Sequence, residues 1–151
     1  MARKVNVNFP EFGISVAATL QDESEPELSE LLWNSLPLRS ACCNTLSTGD
    51  LFISRCRPPR KAVCPGTQDN PVGRNSIMYC DRQPGDIGFT GVDFVVNYGP
   101  DVTEPLAGHG AIAAKVDPEY LDDFYKAGKA VWNNHVTTHT LVTMVMERKE
   151  S

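Results

Sequence analysis

The chain has 151 residues, 41% of them apolar, enough to bury one core and too few for two, so one domain spanning 1–151 is expected. A net charge of −5 excludes the basic surface that nucleic-acid binders rely on, and no nucleic-acid partner is expected. No apolar run is long enough to cross a bilayer as a helix, and the opening "MARKVNVNFPEF" lacks a signal peptide's apolar core, so the expectation is a cytoplasmic protein with no membrane partner.

"KVNVNF" (4–9) and "GISVAATL" (13–20) alternate apolar and polar residues around the turn "PEFG", which predicts a hairpin. Ser24 three residues before Glu27 makes a capping-box pattern, Pro26 suits a first helical turn, and Leu28, Leu31, Leu32 and Leu36 share one helical face. Trp33 lies off that stripe, where it can pack against a neighbouring loop. "SACCNTLSTGDLFISRC" reads as two strands around "STGD". Residues 56–75 hold four prolines and two glycines, a long excursion rather than a central strand.

"SIMYCD" (76–81) predicts a further strand, "RQPGD" a turn, and "IGFTGVDFVVNYG" one or two strands kinked at Gly91. "GAIAAKV" (110–116) predicts a strand, followed by Asp117 and Pro118 at a helix start. In that helix Leu121, Phe124, Tyr125, Gly128, Val131 and Trp132 keep helical spacing. "HVTTHTLVTMVMERK" is β-branched and reads as a final strand. Short strands at close intervals with two helices far apart predict a mainly β fold, a closed barrel of about eight strands capped by two helices.

The loop from Tyr98 to Gly110 is longer than a hairpin needs and brings a phenol, two carboxylates and an imidazole together. A Glu and a His that face each other can divide acid and base work near neutral pH, which makes His109 and Glu104 the candidate catalytic pair and Tyr98 a candidate to donate a hydrogen bond or orient the substrate. Arg55 and Arg57, at the end of "DLFISRCR", suit a carboxylate because a guanidinium binds it in a bidentate fork. Cys42 and Cys43 are adjacent, so on a strand one faces the core and the other faces out or into a pocket; Cys43 joins Trp33 as a candidate substrate contact. Cys42, Cys43, Cys56, Cys64 and Cys80 show no CxxC spacing, and reduced thiols are expected. His135 and His139 have the i, i+4 spacing of a zinc helix, but on a strand they lie about 13 Å apart, so no metal site is expected.

"LLWNSLP" after the first hairpin, the later "QPGDIGF", "VNYG" before a Gly-rich loop, and "AIAAKV" together resemble the cyclophilin-like family of small bacterial proteins to which cucumopine synthase is related. The resemblance implies a cyclophilin-like β-barrel with two capping helices. It also implies acid–base chemistry on an amino or oxo acid without a redox cofactor, since cucumopine synthase joins histidine and 2-oxoglutarate through imine formation and ring closure. True cyclophilins carry a catalytic arginine before a "QGGD"-like stretch, whereas this chain has Pro84 at a glycine position and no "FHR"-like segment.

The leading expectation is therefore a cofactor-independent enzyme, an acid–base isomerase, a lyase or an imine-type condensing enzyme, acting on a small amino, oxo or other carboxylic acid or a heterocycle. The alternative is a non-catalytic ligand- or protein-binding module, with peptidyl-prolyl isomerase placed third. Self-association as a homo-oligomer is a further expectation for so small a barrel with an apolar final strand.

Overall fold

The computed structural model describes residues 2–44, 48–56, 77, 81–91, 93–102 and 111–150. Arg57, Glu104 and His109 lie outside these residues, as do nearly all of the 56–75 excursion and of the strand expected at 76–81.

Eight strands close into a barrel: β1 (Lys4–Phe9), β2 (Ile14–Leu20), β3 (Leu38–Cys43), β4 (Gly49–Cys56), β5 (Asp86–Phe89), β6 (Asp93–Val102), β7 (Ile112–Val116) and β8 (Thr143–Arg148). The spatial order is β1-β2-β7-β5-β6-β4-β3-β8, with β8 returning to β1 and every neighbouring pair antiparallel. The expected hairpin is β1 and β2, joined by a short 3-10 turn and closed by Gly13 at φ 65°, a left-handed conformation that glycine adopts without a Cβ clash.

Alternation along the strands fills the interior. Val5, Val7 and Phe9 of β1 meet Val16, Ala18 and Leu20 of β2, and across the barrel Phe52, Phe94 and Met144 complete one apolar cluster. Burying each such large side chain stabilises by roughly 1.5–3 kcal/mol, which makes this cluster the main source of folding energy. The polar groups that β3 and β4 turn inward satisfy one another: Ser54 Oγ donates to Ser40 Oγ at 2.6 Å, Ser40 Oγ donates to the Met144 carbonyl at 3.1 Å, and Cys42 Sγ contacts Ser54 Oγ at 3.4 Å.

Helix α1 (Pro26–Ser35) follows β2 and packs on the cluster through Leu28 and Leu32; helix α2 (Leu121–Asn133) packs on it through Phe124, Ala127 and Val131. α2 lies so close to β6 that a Cβ on Gly128 would come within 2.1 Å of the Tyr98 ring.

Three local expectations are corrected. α1 begins at Pro26 with Glu25 as its N-cap, so the Ser24–Glu27 capping box is one residue out of phase with the helix. Pro118–Tyr120 forms a 3-10 turn ahead of α2, and the Asp117 carboxylate, instead of capping it, accepts hydrogen bonds from Lys4 Nζ at 2.5 Å and Thr19 Oγ1 at 2.6 Å.

The last strand starts at Thr143, because α2 runs on into a π-helical turn, Asn134–Thr138, that carries His135. His139 ends that turn at φ 56°, its N–H donating to the Asn134 carbonyl at 2.7 Å. β-branched residues disfavour a helix by well under 1 kcal/mol each, so the amphipathic helix already packed on the barrel carries through "HVTT". The two histidines therefore share one turn rather than standing apart on a strand.

Candidate functional site

β6 and β7 both pair antiparallel with β5, so they run parallel to each other with β5 between them. Val102 and Ala111, the described residues on either side of 103–110, consequently lie towards opposite ends of the barrel, flanking β5. The wall outside β5 and β6 thus lies between the two described residues that bound the predicted catalytic loop.

Registers map that wall row by row. Cys43 pairs with Ile53, Ile53 with Val95, and Val95 with Gly88, a continuous row across β3, β4, β6 and β5. On one side of it Ala41 pairs with Arg55 and Arg55 with Asp93; on the other Leu51 pairs with Asn97, and the Ile87–Val96 register continued by one residue sets Asp86 beside Asn97. Ile87, Phe89, Phe94 and Val96 belong to the interior cluster, so the alternating Gly88, Val95 and Asn97 point outward. Leu51 and Val95 are buried without belonging to that cluster, which marks this wall as covered ground.

Three polar groups are built into it. Arg82, 5% exposed, lies over Gly88: a Cβ there would come within 2.6 Å of its Nη1, so the guanidinium occupies space that glycine leaves open. Asp86 fixes the turn that carries Arg82, its Oδ2 accepting from the Gln83 N–H at 2.8 Å, while Lys115 Nζ lies 3.7 Å from its Oδ1. The turn is tied to both neighbouring strands, because the Gly85 N–H donates to the Asn97 carbonyl and the Val116 N–H to the Gly85 carbonyl. Asn97 itself is fully buried, and neither Oδ1 nor Nδ2 of its side chain has a hydrogen-bond partner among the described residues.

A bulge places Gly88. One step along β5, from Ile87 to Gly88, matches two along β7, from Ala114 to Ile112. Such irregularities locally bend a strand and re-aim its neighbours.

Among the predicted site residues, Arg55 and Cys43 stand on this wall, both exposed. Arg55 pairs with Asp93 across β4 and β6, with the arginine side chain 70% and the aspartate 19% exposed. Trp33 is elsewhere: it sits on α1 with Arg3 and Arg148 stacked at 5.1 and 4.7 Å from its ring, and Arg148 also donates to its carbonyl. Tyr98 faces the interior at the α2 end, its hydroxyl donating to Asn44 Oδ1, and burial together with the nearby Asp50 raises its pKa above the ordinary phenol value.

Below Tyr98 the β4–β6 register shifts, with two residues from Gly49 to Leu51 set against five from Val102 to Asn97. The slack at Gly99–Asp101 is held by buried Asp50, which accepts from the Asp101 N–H at 3.2 Å and from Lys129 Nζ at 2.7 Å. Burial would lower the pKa of Lys129, but the hydrogen bond and charge of Asp50 outweigh it and hold it raised. Tyr98 is thus fixed at the base of the strand from which the 103–110 segment leaves.

Away from this wall an open cleft of about 450 Å³ is lined by Cys42, His135, His139, Thr140 and Leu141. Its histidines are exposed, and burial pushes the Cys42 thiol up to about 12, far from a reactive thiolate. No group of three metal-ligating side chains occurs among the described residues. The outer wall, with its buried polar groups, is the better candidate.

Sequence reading missed Arg82 and Asn97. Asn97 left a signal, as the polar outward position in "DFVVNYG"; Arg82 left none, since its placement depends on the "QPGD" turn folding back over Gly88.

No protein-family model matches the chain, and no curated protein does. Among solved structures, the chain is similar to McbB in complex with tryptophan, at 28% identity and a TM-score of 0.82 over 97% of this chain. The chain spans 45% of that protein's length. It shares a fold with the hypothetical protein AF2241 from Archaeoglobus fulgidus, at 15% identity and a TM-score of 0.56 over 98% of this chain and 95% of the other. These likenesses agree with a closed β-barrel. No described helix is long and apolar enough to cross a membrane.

Proposed function

We propose that the chain is a cofactor-independent small-molecule enzyme, working on an amino acid or a related small carboxylic acid at the outer wall of β5 and β6. The observation that carries this reading is the 28% identity over nearly the whole chain to McbB, a protein solved with tryptophan bound. The finer resemblance to the cucumopine synthase-related family points to the same substrate class and to acid–base or imine-type chemistry.

In this reading the substrate carboxylate sits beside Arg82, whose buried guanidinium lies over Gly88 and supplies a positive charge in a water-poor setting. Arg55 stands at the edge of the wall with Cys43 on the neighbouring row, and Arg57 is proposed as a second cation for the substrate carboxylate. Glu104 and His109 move the protons: one takes a proton from an amine or carbon while the other delivers one to a carbonyl oxygen, the pair of transfers that isomerisation, elimination and imine formation share. Tyr98, anchored by Asn44, steadies the half of β6 that precedes the 103–110 segment. Trp33, packed against the core and stacked with Arg3 and Arg148, is left out of the site.

Calorimetric titration of L-tryptophan, other amino acids and 2-oxo acids, followed by a turnover assay on mixtures of those that bind, tests the reading. Arg82→Met is expected to weaken carboxylate binding at least about tenfold, while Glu104→Gln and His109→Ala bind but stop turning over. Binding without any turnover in the wild type would favour a binding module. Absence of binding by every acid, or turnover that survives Glu104→Gln, would refute the assignment.

A further inference from the structure

We propose that Asn97 sets the substrate specificity of this wall, by reading an adjacent donor and acceptor on the ligand and so selecting an α-amino acid over its des-amino analogue. The inference rests on the proposed amino-acid reading and deepens it. The Asn97 backbone carbonyl is already engaged by the Gly85 N–H at 2.8 Å, so only the side chain is available. That side chain is fully buried, and both its amide oxygen and its amide nitrogen are without a hydrogen-bond partner among the described residues. Buried amides are nearly always satisfied, so an exception that points into a candidate site indicates a partner that arrives with the ligand.

The chemistry of that partner follows from the amide. Oδ1 accepts and Nδ2 donates, so the complementary group presents an N–H beside an oxygen, as the amine and carboxylate of an amino acid do. The surroundings sharpen the choice. Leu51 flanks Asn97 on one strand and Asp86 on the other, and Asp86 has one oxygen committed to the Gln83 N–H and the other facing Lys115. Asn97 is then the neutral reader on this row, one row from Gly88 and the Arg82 guanidinium over it. A site built to hydrogen-bond a substrate group discriminates strongly against an analogue lacking it, because the protein group is left buried and unpaired.

The test is calorimetric titration of L-tryptophan, indole-3-propionate and tryptamine into the wild type, Asn97→Leu and Asn97→Ala, with thermal melts of all three proteins. The wild type is expected to prefer L-tryptophan over indole-3-propionate by at least about tenfold, and both variants to lose that preference while still binding indole-3-propionate. Asn97→Leu, close in volume and without polar atoms, is expected to melt at or above the wild-type temperature. A preference unchanged in the variants overturns the inference alone. So does a Leu variant that melts lower while Asn97→Ala keeps wild-type discrimination, since Asn97 is then structural. A wild type that binds none of the three ligands overturns the amino-acid reading as well.

Discussion

Replacing Gly128 by alanine sets two effects against each other, and the structure decides between them. Alanine in a helix interior is favoured over glycine by roughly 0.5–1 kcal/mol, so propensity alone predicts a stabler protein. At this position, however, a Cβ would meet three atoms of the Tyr98 ring at 2.1, 2.3 and 2.5 Å. Unstrained carbon contacts fall at about 3.5–4.0 Å, so helix or ring must give way by more than an ångström.

The ring has little freedom to do so. Phe52 lies 5.9 Å from it and the hydroxyl is tied to Asn44. Overpacking costs about 1–3 kcal/mol, and contacts this short belong at the upper end, about 2–3 kcal/mol, which leaves a net destabilisation of about 1–2.5 kcal/mol after the propensity gain. For a chain of this length that lowers the melting temperature by roughly 2–10 °C. Thermal and urea denaturation followed by circular dichroism would measure it. In the double variant with Tyr98→Leu, Gly128→Ala should cost less than in the wild-type background, by at least about 0.5 kcal/mol. A Gly128→Ala protein that melts as high as the wild type or higher would refute the tight α2–β6 packing.

Other outcomes follow from the same geometry. Gly88→Ala pushes the Arg82 guanidinium off the wall and is expected to weaken carboxylate binding about tenfold with little change in melting temperature, measured by calorimetry beside a thermal melt. Burial pushes the thiols of Cys42 and Cys56 up to about 12, so of the described cysteines only exposed Cys43 should alkylate in the folded protein at about pH 8, as peptide mapping after iodoacetamide would reveal. Burial would raise the pKa of Asp117, but hydrogen bonds from Lys4 and Thr19 hold it below its ordinary 3.8. Its contribution to stability is therefore present above about pH 4 and lost as the pH falls through the folded value, so Lys4→Met should flatten the acid limb of a urea-unfolding series.

Much of the fold was legible because burial imposes simple periods. β1 alternates cleanly and β2 does so apart from buried Ala17, and Leu28 and Leu32 keep helical spacing, so the hairpin and α1 could be read directly. The final strand was misread at its start because "HVTTHT" is β-branched, a weak local preference that α2, packed through Val131, overrides. The candidate site was harder to read, since it depends on pairings distant in sequence. Arg55 and Cys43 signal themselves by residue type, but Gly88 as a cradle for Arg82 exists only once β5 is seated between β6 and β7. Trp33 was read as packing against a neighbouring loop and as a candidate substrate contact; its stacking partners, Arg3 and Arg148, come from opposite ends of the chain, a juxtaposition no local pattern announces.

The most direct test of the outer-wall assignment is a titration of the isotope-labelled protein with L-tryptophan, followed amide by amide in two-dimensional NMR spectra. The assignment predicts that the resonances of Gly88, Val95 and Asn97, with the side-chain amide of Asn97, shift together and saturate along one binding curve. Shifts confined to His135–Leu141 around the cleft beside Cys42, with the β5 and β6 resonances unmoved, would contradict it.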